Sequence, residues 1–314
     1  RPRVSASVAA LAGGLAALAA ITRTVGLALL PVVLVLAWLR ARDGRVRAVA
    51  LVAMLLPLLL HVAWCSQQSG RFPPPARGGF YLYGRVSTFA QARGADPGDP
   101  ERALYDPRPP AERPNANFYV WDHGSPAERL RAAHPSEDER DAILARFARR
   151  VIAGQPGDYA RLIAGDLAHD FAWTRRTGVQ DEPFEMWRLP LSVPVDRHVF
   201  LGAAPSLAAL ASPPPQPSAE LAPRLRRYAD AAATPGPLLA LAVLIGLAAP
   251  LLHRRRSDRP AATGAVALAL AALVSLLVPA ATVMFDYRYL LPALVLAPAA
   301  AALAFARGPE AANR

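Results

Sequence analysis

Long apolar segments at both ends of the chain enclose a polar middle, and this arrangement constrains the fold more than any other feature of the 314-residue sequence. Six segments qualify, at 4–22, 24–39, 46–64, 237–252, 261–284 and 289–305. A helix over each would reach roughly 24–36 Å, which is close to a hydrocarbon core of about 30 Å. The sequence therefore predicts an all-α polytopic membrane protein with about six transmembrane helices.

Arg23 separates the first two apolar segments. One continuous helix over both would reach roughly 54 Å, and an arginine at mid-membrane costs roughly 2.5–3.5 kcal/mol on insertion scales. We therefore expect the chain to break at Arg23. An alternative interpretation makes residues 1–20 a secretory signal, with a basic start and small residues at its end. The apolar segment that follows at once favours two spanning helices instead.

The distribution of charge separates a membrane protein from a nucleic-acid-binding one. The net charge is +11, from 35 basic residues, all arginine, and 24 acidic residues. Such a surplus is typical of nucleic-acid-binding proteins when it lies on one surface. Residues 65–236, however, hold 21 arginines and 20 acidic residues, while the rest of the chain holds 14 arginines and four acidic residues. Because the surplus lies beside apolar segments, we predict membrane lipids as partners and no nucleic acid.

The arginines beside the apolar segments indicate an orientation. They form four clusters, which are Arg1 and Arg3; Arg40, Arg42, Arg45 and Arg47; Arg254, Arg255, Arg256 and Arg259; and Arg307 and Arg314. Six crossings place all four clusters on one side, which the positive-inside rule makes cytoplasmic. We therefore expect a multi-pass protein of the cell membrane with three domains: three transmembrane helices in 1–64, an extracytoplasmic domain in 65–236, and three more helices in 237–314 before a cytoplasmic C-terminus.

The polar middle is too long to be an ordinary loop, so it must carry its own structure. The aromatic run at 80–86 predicts an extended segment. Ser136 and Glu139 have capping-box spacing ahead of apolar residues at helical intervals, and a second helix is predicted to begin near residues 157–158. We expect these two amphipathic helices to form a core, rather than to lie on the membrane. A short arginine-rich helix is predicted at 220–230.

No strong catalytic or metal motif is present. The six histidines lack the spacings that indicate zinc, and no glycine-rich phosphate loop is found. His169 and Asp170 could form a functional pair, but a solvated helix face is the favoured interpretation. We therefore predict no metal ligands and no evident cofactor.

Arg23 and Arg288 stand apart because they are the only arginines directly beside spanning segments on the predicted outer side. A guanidinium there can bind the phosphate of a lipid headgroup in bidentate fashion, and Tyr289 can pack against an isoprenoid chain or a sugar. The alternative is structural: Arg288 marks a helix end by snorkelling, or pairs with Asp286 to hold the short outer turn.

Two short motifs indicate a family. They are Ile-Thr-Arg-Thr-Val-Gly at 21–26 and Asp-Tyr-Arg-Tyr-Leu-Leu-Pro at 286–292. With the membrane segments around them, they resemble the GT-C superfamily, and more narrowly the bacterial homologues of dolichyl-phosphate-mannose and aminoarabinose transferases. The resemblance implies inverting transfer of a sugar from a polyprenyl-phosphate donor on the extracytoplasmic side. It also implies that Arg23 and Arg288 hold the donor phosphate, that Tyr289 lines the lipid groove, and that Asp286 lies at this site.

The chain departs from that family at one point: no residue occupies the position of the catalytic acid, which lies in the family's first outer loop. Because the sequence begins with Arg1, we expect a C-terminal fragment that lacks the acid-bearing part. The catalytic residue therefore stays unassigned, and whether a divalent cation takes part in the reaction stays open. The alternative function is a non-catalytic integral membrane protein that presents an extracytoplasmic binding domain. A transporter ranks third, because no span shows a buried charge.

Overall fold

The computed structural model describes residues 5–41, 43–72, 77–93, 100–178, 180–191, 217–253 and 259–306, and over these residues the chain is helical, with no β-strand. The α-helices are α1 (Ala6–Thr22), α2 (Leu30–Arg40), α3 (Gly44–Ser69), α4 (Gly78–Ser87), α5 (Ala116–Trp121), α6 (Leu130–Ala133), α7 (Glu137–Gly154), α8 (Pro156–Asp170), α9 (Leu221–Ala231), α10 (Gly236–Leu252), α11 (Arg259–Thr282) and α12 (Leu290–Phe305). Short 3₁₀ turns include Thr24–Leu29, Phe184–Trp187 and Tyr287–Tyr289.

Each predicted apolar segment coincides with a helical element, and the predicted break at Arg23 is confirmed. Three described stretches are long and apolar enough to cross a membrane, namely α3, α11 and Tyr287–Phe305. The number rises to four when α9 and α10 count as one span, while α1 and α2 are shorter apolar helices. The helical membrane class is therefore supported, whereas six crossings exceed the helices that meet the length criterion.

Small residues allow the apolar helices to approach one another closely. Gly13 of α1 faces the carbonyl oxygen of Ala50 on α3, where no side-chain carbon would fit. A Cβ placed on Gly246 of α10 would lie 2.8 Å from the Cβ of Ala300 on α12 and 2.9 Å from that of Ala269 on α11. This packing through glycine and alanine is typical of helices in membranes, where lipid leaves little hydrophobic drive for association.

Many large leucines of the apolar helices lie on the outside, although Leu239, Leu276 and Leu290 are buried. Leu11 and Leu15 of α1, and Leu59 and Leu60 of α3, are all exposed. In water such an apolar surface would favour aggregation, whereas in a bilayer these side chains contact lipid tails. The apolar helices therefore have small residues inside and many large ones outside, as membrane association requires.

The polar middle builds a separate aromatic core from α4, α5, α7 and α8. Tyr83, Tyr119 and Phe147 are completely buried there, and their rings meet edge to face. Ser136 caps α7 by accepting the backbone N–H of Glu139, which confirms the predicted start of the helix. The capping box is only half formed, because the Glu139 carboxylate lies 2.7 Å from Nδ1 of His134. Tyr159 of α8 packs on this core, so the expected core role of α7 and α8 is also confirmed.

The prediction of an extended segment at 80–86 is wrong, because these residues lie within α4. Two glycines allow other helices to approach α4 closely, and this packing was not visible in the sequence. Gly79 comes against the backbone of Asp141, and a Cβ on Gly84 would lie 2.8 Å from the carbonyl oxygen of Ala116. The aromatic run is helical because α4 must pack tightly against α5 and α7, and propensity alone does not reveal that requirement.

The chain forms two compact units. Arg1–Glu182 together with Pro235–Arg314 make up the first, so apolar helices and the helices of the polar middle belong to the same unit. Pro183–Thr234 forms the second unit, where α9 meets the turn Phe184–Trp187 through ion pairs. The predicted helix at 220–230 is confirmed as α9.

Candidate functional site

The chain turns sharply at Arg23. The Thr22 hydroxyl donates to the Leu18 carbonyl oxygen at 3.0 Å and closes the last turn of α1. Arg23 then adopts an extended backbone, and the N–H of Gly26 donates to its carbonyl oxygen at 2.8 Å. Gly26 lies against the backbone of Ala19, so a side chain there would force the turn open. The local sequence thus places Arg23 between two apolar helical elements.

A second turn presents Arg288 between α11 and α12. Asp286 caps the turn Tyr287–Tyr289, because its Oδ1 accepts the backbone N–H of Arg288 at 3.0 Å. Its Oδ2 lies 2.7 Å from Nε of Arg288. Burial raises the pKa of the Asp286 carboxyl, and the bond from the Arg288 backbone and the charges of Arg288 and Arg23 oppose that rise. The predicted Arg288–Asp286 pair is therefore formed.

The two turns meet at the ring of Tyr289. The guanidinium carbon of Arg23 lies 5.4 Å from the ring centroid, and that of Arg288 lies 5.2 Å from it. Both distances are within cation–π range. The structure thus brings together all four residues that the sequence singled out, Arg23, Asp286, Arg288 and Tyr289, from opposite ends of the chain. Tyr289 itself is buried.

The charges at this site leave a positive excess. Arg288 has a carboxylate partner in Asp286, whereas no carboxylate of the described residues lies within salt-bridge distance of Arg23. Arg23, Arg288 and Asp286 together give a net charge of +1, and the negative charge of Glu182 also acts on Asp286 from nearby. An arrangement of this kind can hold a single anion, and guanidinium groups suit phosphate because they can donate two parallel hydrogen bonds.

The segment that carries Arg288 also contacts α8, through Phe285 and Tyr287. The ring of Phe285 stacks on His169 with the centroids 4.4 Å apart, and the Tyr287 hydroxyl lies 3.2 Å from Nε2 of His169. Nδ1 of His169 is 3.0 Å from Oδ2 of Asp181. The favoured interpretation of a solvated face was wrong, because the His169 side chain is 15% exposed and Asp170 is 7% exposed.

Hydrogen bonds hold the Tyr287 hydroxyl beside His169. The hydroxyl accepts the backbone N–H of Arg176 at 2.8 Å and lies 2.9 Å from the carbonyl oxygen of Arg176. His169 contacts this hydroxyl through Nε2 and Asp181 through Nδ1. His169 thereby connects Asp181 to the turn that carries Arg288.

A second buried group of charges lies deeper between α4 and α8. Arg85, 3% exposed, pairs through Nη2 with Asp166, while its Nε has no hydrogen-bond partner within the described ranges. Burial raises the pKa of Asp166 to about 6, with Arg85 opposing the rise. Burial, with the nearby charges of Asp166 and Asp181, raises the pKa of Asp170 to about 8. Asp170 is therefore largely protonated near neutral pH.

The sequence did not predict this group of buried charges. It indicated only Asp170, as a possible partner of the neighbouring His169. Arg85 sits in the aromatic run, and nothing in its spacing links it to an aspartate on a later helix. Tertiary packing alone brings them together. As for metals, the described part of the chain has no group of three histidine, cysteine or acidic residues that could hold an ion.

Comparison with protein-family models, with curated proteins and with solved structures finds no match for this chain. The resemblance to the GT-C superfamily therefore stays a prediction, and the geometry around Tyr289 is the feature of the chain that bears on function.

Proposed function

We propose that this chain belongs to a membrane glycosyltransferase that takes a sugar from a polyprenyl-phosphate donor at the extracytoplasmic face. The observation that carries the proposal is the convergence of Arg23 and Arg288 on the ring of Tyr289. Pairing with Asp286 accounts for Arg288 as a structural residue, but it does not account for a second guanidinium at the same ring. A binding site for an anion accounts for both.

The charge of the site suits such a donor. A sugar joined to a polyprenyl phosphate forms a phosphodiester, which carries one negative charge, and Arg23, Arg288 and Asp286 together carry a net charge of +1. During transfer the bond between the anomeric carbon and the phosphate oxygen breaks, and its electron pair stays on the phosphate. The released phosphate monoester carries up to two negative charges near neutral pH. Two arginines would therefore stabilise the leaving group more than the bound donor.

The acceptor oxygen would attack the anomeric carbon from the opposite side, which inverts its configuration. Its proton must pass to a base, and no carboxylate of this chain is assigned to that step. Asp286 serves instead to orient Arg288, since it binds both the backbone N–H and Nε of that residue.

With six crossings the site and the polar middle would lie on the same side of the membrane, and three contacts support that arrangement. Arg23 and Arg288 meet at Tyr289, so both lie at the same boundary of a core about 30 Å thick. The Tyr159 hydroxyl donates to the Ala281 carbonyl oxygen at 2.7 Å, near that end of α11. Gly236, at the start of α10, donates to the carbonyl oxygen of Ala172 at 3.1 Å. The polar middle therefore shares a side with the arginine pair.

The arginine clusters supply the direction of that topology. Arg40, Arg45, Arg47 and Arg259 belong to described residues, whereas Arg1, Arg3, Arg42, Arg254, Arg255, Arg256, Arg307 and Arg314 lie outside them. All twelve fall on the side opposite to Arg23 when there are six crossings. By the positive-inside rule the arginine pair then faces the exterior of the cell membrane.

The proposal is tested by lipid binding to the full chain in detergent, with a polyprenyl monophosphate as the probe. We expect Arg23→Ala and Arg288→Ala each to weaken binding roughly 10- to 100-fold, because a charged hydrogen bond contributes about 1.5–3 kcal/mol. Lysine at either position should restore only part of the affinity, since the planar fork is lost. Arg161→Ala is the control, because its side chain is 78% exposed and pairs with Asp158.

If the alanine and lysine variants of Arg23 and Arg288 all bound the lipid as tightly as the unaltered chain, the phosphate site would be refuted. In membranes, Arg288→Ala should abolish transfer from a polyprenyl-phosphate sugar without affecting membrane insertion. Tight binding of the lipid without any transfer would instead favour the non-catalytic alternative.

A further inference from the structure

Helix α9 carries an apolar face that no described residue of its own unit covers. Leu221, Leu225 and Tyr228 follow at intervals of four and three residues, so they share one side of the helix. They are 55%, 51% and 72% exposed, respectively. Large apolar side chains at such exposure, on one side of a helix, indicate a surface that meets another apolar phase.

The opposite face of α9 is already occupied. Arg226 pairs with Glu185, and Asp230 pairs with Arg188, whose Nη1 also lies 2.8 Å from Glu185. These ion pairs hold the turn Phe184–Trp187 against the polar side of the helix. The polar face of α9 is thus bound within its own unit, and the apolar face is left outward.

We infer that α9 lies in the membrane–water boundary, with Leu221, Leu225 and Tyr228 among the upper acyl chains and its polar face towards water. The chain itself supports lipid as the occupant. Only residues 232–235 separate α9 from α10, an apolar helix over Gly236–Leu252, and four residues extend at most about 14 Å. Helix α9 therefore ends close to the point where α10 enters the bilayer.

The two helices meet the criterion for a span only when they are taken together, but charge argues against the alternative that α9 continues the span of α10. Arg224, Arg226, Arg227 and Asp230 would then enter the hydrocarbon, where each charged side chain is costly. Arg226 and Asp230 lie opposite the leucines and the tyrosine, and Arg224 borders them, where a long side chain can reach water while its stem stays among apolar groups. This arrangement is typical of helices that lie along a membrane surface. This inference rests on the membrane spans and is independent of sugar transfer.

Spin labels on the full chain in lipid nanodiscs test the placement. Cys65 is the only cysteine of the chain, so a Cys65→Ala background accepts single labels through Leu225→Cys and, as the matched control on another side of α9, Arg227→Cys. Oxygen partitions into lipid and a nickel chelate stays in water. We expect the ratio of oxygen to nickel collisions to be several-fold higher at position 225 than at position 227.

Two results would overturn the inference. If the label at position 225 collides with nickel as often as the label at position 227, the face is solvated. If it is shielded from both reagents, a protein covers the face, either a second copy of the chain or another partner. Loss of phosphate binding by Arg288→Ala does not bear on either result.

Discussion

Asp170 is the residue whose environment departs most from that of an ordinary carboxyl. It lies on α8 with 7% of its surface exposed, near Asp166 and Asp181. No hydrogen bond or ion pair links it to any other described residue. A buried carboxyl without a cation partner favours the neutral form, because desolvation penalises the charged form. This is the physical cause of a pKa of about 8.

The raised pKa makes the stability of the protein depend on pH. In the unfolded chain an aspartate has a pKa of about 3.9, so between about pH 4 and pH 8 the folded state holds the proton and the unfolded state does not. The free energy of unfolding should therefore fall as pH rises through this window. Asp170→Asn cannot ionise, so we expect it to reduce the fall, with Asp166 retaining part of it.

The measurement is the unfolding midpoint of the full chain at pH 5 and pH 8.5, in the same detergent. Asp158→Asn on the same helix is the control, because its carboxylate lies with Arg93 and Arg161 near the surface. A pH dependence that is identical in the unaltered chain and in Asp170→Asn would contradict the assignment of the proton to Asp170.

At the scale of helices, adjacent glycines on α1 provide a matched pair. A Cβ on Gly13 would collide with the backbone of Ala50 on α3, whereas one on Gly14 would meet no atom within 4 Å. We expect Gly13→Ala to lower the free energy of unfolding by about 1–3 kcal/mol, the usual cost of overpacking. Gly14→Ala should be neutral or stabilising by up to about 1 kcal/mol, since alanine favours the helix. Thermal unfolding in detergent distinguishes them, and equal effects would contradict the close packing of α1 on α3.

The helices show what sequence can and cannot predict. Apolar length located the membrane helices, and the capping residue Ser136 located the start of α7, because both signals are local. The arginine pair was predictable too, since its flanking apolar segments mark Arg23 and Arg288. The helical state of α4 and the pairing of Arg85 with Asp166 could not be predicted, because they depend on contacts between residues that are distant in sequence.

At the scale of the whole molecule, the question is which side of the membrane holds the polar middle. Helices α8 and α10 connect it to the arginine pair through the contacts of Tyr159 with Ala281 and of Gly236 with Ala172. We therefore expect the polar middle and the pair to share a side, with the arginine-rich connection between α2 and α3 on the other side if α2 crosses the bilayer. A reagent that cannot cross the membrane distinguishes the two sides.

In the Cys65→Ala background, His123→Cys introduces a thiol where the side chain is 88% exposed, and Gly44→Cys introduces one at the start of α3, where a Cβ meets no atom within 4 Å. We expect an impermeant maleimide to label position 123 in intact cells, and position 44 only after the membrane is opened, because arginines hold their segment in the cytoplasm. The reversed pattern would place the arginine pair at the cytoplasmic face. A donor presented at the outer face could not then reach Arg23 and Arg288, and the proposed transfer reaction would fail together with the topology.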